Sequence, residues 1–170
     1  MRIELDKLEG NNSSFAHVYE PGELTLDEEH VRLVEQPEVR GRVNRKSYEV
    51  QLRGTVRARA EVDCDRCLGS VLIPIESDFD VKYISSDDYR ATETVELQEE
   101  DLSVAVFEDA TIDIDELVRE QVLLALPARA LCTEECKGLC PICGANKNSQ
   151  DCACETREID PRWSGLQNIN

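Results

Sequence analysis

The sequence lacks any apolar run long enough to cross a membrane. Its longest, VLLALPA at 122–128, includes Pro127 and is far shorter than the roughly 20 residues that a membrane-spanning helix needs. The first residues, MRIELDKLEG, also lack the basic segment and the apolar segment of a secretory signal. We therefore expect a cytoplasmic protein with no membrane partner, in a compartment where thiols stay reduced.

Histidine is scarce too. The chain has only His17 and His30, and neither lies in a metal-binding or nucleophile motif. Its carboxylates are abundant but scattered, and each is expected to be a surface group. We predict that the protein is not an enzyme, has no catalytic residue and has no small-molecule substrate.

Negative charge, by contrast, is plentiful and unevenly distributed. The net charge is −17, and residues 61–120 carry 19 acidic and 4 basic side chains. Residues 40–59 reverse the balance, with seven basic side chains and one acidic. The basic band could bind phosphates and the acidic block could bind a basic partner. Alternatively, both are solvated faces.

Alternating side chains predict a long half-buried strand at 48–62. One parity is apolar, and the other puts Arg53, Arg57 and Arg59 on one exposed face. Gly54 falls on the apolar parity and suggests a bulge or a bend. A turn at 64–70 leads to a second alternating segment, which predicts an antiparallel hairpin.

Beyond the hairpin, residues 85–101 are polar and acidic, and we expect a mobile loop there. Residues 102–107 can form another strand. A helix is predicted at 113–126, because Asp113 and Glu116 have capping-box spacing and Pro127 ends the element. Its mostly apolar stripe comprises Leu117, Val118, Gln121, Val122, Leu124 and Ala125.

These elements predict an α+β fold. A β-rich antiparallel barrel or curved sheet, closed by the helix, would occupy residues 1–130. A small cysteine-rich zinc module would occupy residues 131–170.

Six of the eight cysteines lie within LCTEECKGLCPICGANKNSQDCAC at 131–154. The CPICG segment is the strongest signal, because two thiolates separated by two residues can bind one metal ion, and Gly144 permits the turn. Disulfides or free thiols are disfavoured alternatives in a reducing compartment. We predict one structural Zn²⁺ held by four of the six, with a two-metal cluster sharing all six as the alternative. The six are Cys132, Cys136, Cys140, Cys143, Cys152 and Cys154.

Cys64 and Cys67 form a separate CxxC in the hairpin turn. The pair could be half of a zinc site, a redox pair or two packed thiols. A redox pair requires a thioredoxin-like βαβ setting, which the sequence lacks. A ribbon joining the pair to Cys140 and Cys143 is conceivable, but the tail has enough thiols of its own. We therefore expect a structural or weakly metal-binding pair.

Four segments, taken in order, form a specific combination. They are CDRCLGSVLIPI at 64–75, IDIDELVREQVLLALP at 112–127, CKGLCPICGANKN at 136–148 and CACETREIDPRWSGL at 152–166. The combination resembles the bacterial YceD family, the large ribosomal RNA subunit accumulation proteins, over about the last two thirds of the chain. The residues that match its motifs are Cys64, Arg66, Cys67, Cys136, Cys140, Cys143, Asp160, Pro161 and Arg162.

The resemblance implies a non-enzymatic factor needed for normal accumulation of 23S rRNA, acting in biogenesis of the large ribosomal subunit. It supplies no catalytic residue. Since family members without the tail cysteines exist, it also implies that zinc is a local staple rather than the functional centre.

The expected partners are a pre-50S particle, its rRNA and/or a basic ribosomal protein. Arg53, Arg57 and Arg59 are the candidates for RNA contact. Two other functions stay open, namely a zinc-ribbon-like nucleic-acid-binding regulator and a CxxC dithiol oxidoreductase. Further basic side chains that could support the RNA contact are Arg40, Arg42, Arg45 and Lys46.

Overall fold

The computed structural model of the chain describes residues 1–8, 10–46, 49–87, 89, 104–154 and 162. Within them a short 3-10 helix forms at Leu5–Lys7 and the helix α1 at Ile114–Ala125. The strands, in chain order, are β1 (Arg2–Glu4), β2 (Asn12–Val18), β3 (Val31–Leu33), β4 (Glu38–Lys46), β5 (Glu49–Asp63), β6 (Ser70–Ser85), β7 (Val104–Phe107) and β8 (Thr111–Asp113).

Six of these strands form one open sheet. β2, β4, β5, β6 and β7 lie side by side in that order, and β3 pairs with the part of β5 that extends beyond β4. Of the two predicted forms, a barrel or a curved sheet, the barrel is wrong, because β2 and β7 are the two ends of the described sheet and do not pair with each other. The sheet is also not purely antiparallel, because β7 runs parallel to β6. β1 and β8 form a separate antiparallel pair.

The predicted hairpin is present as β5 and β6. Its register is continuous from Glu49 opposite Ile84 to Asp63 opposite Ser70, so Gly54 lies in a regular strand rather than at a bulge. The apolar parity of β5 is buried at Leu52 and Val56, as the alternation predicts.

Gly54 has a packing role instead. It lies opposite Gly41 of β4, and the two glycines are flanked across the sheet by Phe15 of β2 and Phe79 of β6. A Cβ atom on Gly54 would lie 2.1 Å from the backbone oxygen of Arg40 and 2.7 Å from the Phe79 ring. The inner face thus packs two aromatic rings over a glycine pair that has no space for side chains.

Helix α1 covers the inner face of the sheet and confirms the prediction at 113–126. Asp113 is its N-cap, and one carboxylate oxygen accepts hydrogen bonds from the backbone N–H groups of Asp115 and Glu116. The helix buries Ile114, Leu117, Val118 and Val122. Leu124, predicted on the buried stripe, is 78% exposed instead.

Tyr19 is completely buried beside the start of α1. Its hydroxyl donates a hydrogen bond of 2.8 Å to Asp115, and the amino group of Met1 forms an ion pair with the same carboxylate. Burial, the hydrogen bond to Asp115 and the charge of that carboxylate raise the pKa of Tyr19 far above its usual value. Tyr19 therefore stays a neutral donor that joins the loop after β2 to the helix.

The predicted mobile loop at 85–101 lies outside the described residues apart from its first residues and Tyr89. Ser85 is the last residue of β6. Asp160 and Pro161 of the predicted closing motif also lie outside. Within the described part of the chain, no helix has both the length and the apolar character needed to span a bilayer.

The glycine pair generates a stability prediction. Replacing Gly54 with Ala should reduce the free energy of unfolding by about 3 kcal/mol, because the new methyl group meets backbone that can move only by disrupting the β4–β5 pairing. Gly22→Ala is the matched control, since that position has open space and only an unfavourable positive φ, and should cost about 1 kcal/mol. Urea denaturation of both variants measures the difference, and equal losses would contradict the packing role.

Candidate metal centres

The first group of thiols joins the hairpin to the tail. Cys64 and Cys67 lie in the turn between β5 and β6, and Cys132 and Cys136 lie in the chain that follows α1. The sulfur atoms of Cys64 and Cys136 are 3.8 Å apart, and those of Cys67 and Cys132 are 3.7 Å apart. All four sulfur atoms lie within 4.8 Å of one another.

The second group is contained in the tail. It consists of Cys140, Cys143, Cys152 and Cys154, whose sulfur atoms also lie within 4.8 Å of one another. Gly144 has a φ of +73°, the left-handed conformation that the turn after CPIC requires. The Gly144 N–H donates to the Cys140 carbonyl (2.9 Å), which closes the turn.

The structure therefore gathers all eight cysteines into two groups of four, whereas the sequence predicts one site within the tail. The difference arises because Cys132 and Cys136 lie close to the hairpin turn rather than to the CPICG segment. Cys64 and Cys67 complete the first group instead of forming an independent pair, and they do not join Cys140 and Cys143.

The spacing of the sulfur atoms fits a tetrahedral metal ion. Four ligands at about 2.3 Å from a central ion lie about 3.8 Å apart along the edges of a tetrahedron. The separations of 3.7 and 3.8 Å in the first group match this value and are far longer than a disulfide bond of about 2.05 Å. Each group could thus hold one metal ion with four cysteine ligands.

Backbone contacts support the first group from both sides. The Asp65 N–H donates to the Ala130 carbonyl (2.9 Å), and the Ala130 N–H donates to the Asp65 carboxylate (2.7 Å). The Arg66 guanidinium donates to the Cys136 carbonyl (2.7 Å), and the Leu139 N–H donates to the Arg66 carbonyl (3.0 Å). These bonds fix the tail against the hairpin turn.

Two residues without a metal-binding signature complete this arrangement. Gly138 is buried with a φ of +73°, and a Cβ atom there would lie 2.9 Å from the Arg66 carbonyl oxygen. The Asn148 side-chain amide donates to the Cys136 sulfur (3.2 Å), and its carbonyl accepts from the Lys137 N–H (2.8 Å). The sequence gives no signal for the role of Asn148, because its partner is twelve positions away.

One thiol in each group is strongly favoured in its ionised form. Backbone N–H groups of Arg66 and Cys132 lower the pKa of Cys64 to about 6. Backbone N–H groups of residues 142–143 lower the pKa of Cys140 to about 6. Hydrogen bonding among the clustered thiols raises the pKa of Cys132 to about 12. Ionising all four thiols together thus requires a bound cation.

The two groups differ in exposure. Cys64, Cys67 and Cys136 of the first group are buried, and only Cys132 is exposed. In the second group only Cys140 is buried, while Cys143 is exposed. Solvent therefore reaches the second group more readily.

The arginines predicted to contact RNA lie on the exposed parity of β5, but each already contacts a carboxylate. The pairs are Arg53–Asp80 at 2.9 Å, Arg57–Glu76 at 2.7 Å and Arg59–Glu35 at 2.7 Å. Their positive charge is therefore largely compensated on the same face.

The part of the chain that contains both cysteine groups corresponds to a known family. The profile described as "Large ribosomal RNA subunit accumulation protein YceD" matches residues 52–170. The chain belongs to the YceD family. The YceD match begins within β5 and includes the hairpin turn, α1 and all eight cysteines.

Three individual relatives are similar to this chain, and the name of one of them refers to the same family. An uncharacterized protein of Mycobacterium tuberculosis is 35% identical over 125 residues, which cover 74% of this chain and 58% of that protein. The uncharacterized protein YlbN of Bacillus subtilis is 28% identical over 167 residues, which cover 98% of this chain and 92% of that protein. The chloroplastic "Large ribosomal RNA subunit accumulation protein YCED homolog 1" of Arabidopsis thaliana is 28% identical over 149 residues, which cover 75% of this chain and 46% of that protein. The chain thus spans about half the length of the mycobacterial and plant relatives. No solved structure matches it.

The two cysteine groups should have separable effects on the tail. Replacing Cys64 and Cys67 with Ser should detach residues 130–139 from the hairpin, because the first group loses half of its thiols. The backbone N–H groups of Ala130 and Leu139, which bond to the hairpin, should then exchange with deuterium much faster.

The matched control replaces Cys143 and Cys154 with Ser, which also removes two thiols but only from the second group. In this variant Ala130 should keep its protection. Equal loss of protection in both variants would contradict the separate role of the first group.

Proposed function

We propose that the protein is a non-enzymatic factor in ribosome biogenesis, supporting the synthesis, processing or stability of 23S rRNA and assembly of the large subunit. The observation that carries this proposal is the YceD match over residues 52–170. The name of the Arabidopsis relative, which refers to accumulation of large-subunit rRNA, supports it. The proposed site of action is the cytoplasm, where bacterial ribosomes assemble.

The composition of the two cysteine groups supports a role without catalysis. A catalytic metal site keeps one position open for water or substrate, whereas a structural site is closed by four protein ligands. Each group here supplies four cysteines. The grouping of the thiols also argues against a dithiol oxidoreductase, because Cys64 is packed against Cys136 and Cys67 against Cys132.

We propose zinc as the ion in both groups. Four thiolates in tetrahedral arrangement select zinc or iron. Zinc is the usual ion of closed four-cysteine sites that stabilise small modules. In the first group the ion would join the hairpin turn to the tail, and in the second it would fold residues 140–154 on themselves.

The proposed partners are a pre-50S particle, its rRNA and/or a basic ribosomal protein. The acidic block at 61–120 supports contact with a basic protein, since it carries 19 of the 36 acidic side chains. The basic band at 40–59 supports contact with phosphate.

Metal analysis tests the zinc proposal. The purified protein should contain two zinc ions per chain and no iron absorbance in the visible range. The variant lacking Cys64 and Cys67 and the variant lacking Cys143 and Cys154 should each contain one, because each group binds independently. One zinc ion in the unaltered protein, or two zinc ions in either variant, would be inconsistent with two separate centres.

Depletion in cells tests the ribosomal role. Loss of the protein should lower the ratio of 23S to 16S rRNA, and the 16S rRNA serves as the internal control. The protein should also sediment with particles that precede the mature large subunit. An unchanged ratio of 23S to 16S rRNA together with no particle association would contradict the proposal.

The same preparations separate the alternatives. Reduction of insulin that depends on Cys64 and Cys67 would indicate an oxidoreductase. Strong binding to generic duplex DNA, without particle association, would indicate a nucleic-acid-binding regulator.

A further inference from the structure

The outer face of the sheet separates its charges by strand. Cross-strand pairing places Ser14 of β2, Arg42 of β4, Arg53 of β5 and Asp80 of β6 in one row. The next row holds Ala16, Arg40, Thr55 and Asp78. In these two rows the acidic side chains lie on β6, the arginines lie on β4 and β5, and small side chains lie on β2.

Arg42 differs from its neighbours in having no acidic partner. Arg53 contacts Asp80, and Arg40 contacts Glu38 of its own strand. Among the described residues, no carboxylate oxygen lies within 4.0 Å of the exposed Arg42 guanidinium. Directly across the sheet it faces Arg53 rather than a carboxylate, and Asp80, which offsets the charge of Arg53, lies one strand farther away on β6. Arg42 therefore carries the uncompensated positive charge of this row, which a bound anion would neutralise.

A shallow groove of about 530 Å³ surrounds these arginines. It lies over the Gly41–Gly54 pair, where the β2 side chains are small. A second depression of about 580 Å³ shares Ser14, Arg42 and Arg53 with it and continues toward the start of β2. None of the lining residues is acidic, although the chain carries 36 acidic side chains. The polar side chains along the whole groove are those of Asn12, Ser13, Ser14, Arg40, Arg42, Asn44, Gln51, Arg53 and Thr55.

We propose that this groove binds the sugar-phosphate backbone of RNA. We call it the arginine strip and define it by Arg40, Arg42 and Arg53 with their flanking Ser14 and Gln51. Guanidinium groups present planar pairs of donors that match phosphate oxygens. The Ser14 hydroxyl and the Asn44 amide supply further donors of the kind that such interfaces use to fix a strand. The Gln51 amide and the Thr55 hydroxyl, by contrast, already donate to Asp80 and Asp78. The proposal rests on the proposed function, which supplies rRNA as the partner.

The strip binds phosphate rather than bases. The one aromatic residue that lines it, Phe15, lies opposite Gly41 on the inner parity of β2, where its ring packs against that glycine. Without a ring on which bases stack, contact is independent of sequence and sensitive to salt. The arginine strip also replaces the triad of Arg53, Arg57 and Arg59 as the proposed RNA-facing surface, because Arg57 and Arg59 lie outside the groove, whereas Arg42, which has no carboxylate partner among the described residues, lines it.

Two double variants with the same change in net charge test the strip. Arg40→Gln with Arg42→Gln removes charge from the groove, and Arg57→Gln with Arg59→Gln removes equal charge from the same face outside it. Binding of the full chain to fluorescein-labelled poly-uridine is measured by anisotropy from about 50 mM to about 200 mM salt. Melting temperature and zinc content verify that both variants are folded.

The first variant should bind about tenfold more weakly, and the slope of log affinity against log salt should fall by roughly one to two. The second variant should stay within about threefold of the unaltered protein. Equal weakening by both variants would overturn the proposal, because long-range charge would then explain the binding. Competition by poly-glutamate as strong as that by unlabelled RNA would also overturn it, in favour of an acidic protein partner.

Failure of the strip is distinguishable from failure of the proposed function. If depletion lowers the 23S to 16S ratio but the purified protein does not bind poly-uridine, the ribosomal role stands and the arginine strip is wrong. If the protein binds poly-uridine through the strip but depletion leaves the ratio unchanged, the strip stands and the ribosomal role is wrong.

Discussion

Fifteen residue pairs hold β5 and β6 together in one continuous register, from Glu49 opposite Ile84 to Asp63 opposite Ser70. Each face of the protein depends on this pairing, because side chains alternate along both strands. One parity forms the core beneath α1, and the other forms the ionic rows of the outer face. The hairpin also ends at Cys64, so the same register positions the first cysteine group. A slip of one residue would exchange core and surface along the whole hairpin.

The local arrangement of charges on the strands matters more for phosphate binding than the net charge of the protein. A chain with a net charge of −17 would repel phosphate if its acids were spread evenly. Instead, acids on β6 neutralise Arg53 and Arg57 directly across the strand pair, while β4 carries Arg42 without such a partner. At a Debye length of about 8 Å in physiological salt, local charge then outweighs distant charge. A groove that has no acidic lining residue and one arginine without a carboxylate partner among the described residues can therefore exist on an acidic protein.

The long hairpin and α1 were predictable because their signals are local. Alternation along β5 and the cap at Asp113 each depend on residues close in sequence. The open form of the sheet, in place of the barrel offered as one of two predictions, was not predictable, since alternation specifies faces but not the number of strands or their order. The sequence does contain a signal for the grouping of the thiols. The eight cysteines form four close pairs along the chain, and two groups of four account for all of them. Only tertiary structure brings Cys132 to the hairpin turn.

The strip and the cysteine groups occupy different parts of β5, and this separation constrains their roles. Arg53 and Cys64 are eleven positions apart, which corresponds to about 36 Å in an extended strand. A metal ion bound by Cys64 therefore exerts no direct charge effect on a phosphate at Arg53. Its influence is mechanical, because it holds the tail at the end of the hairpin farthest from the strip. A member of the family could then lose the tail cysteines and keep the outer face of the sheet, provided that other packing closes the hairpin turn.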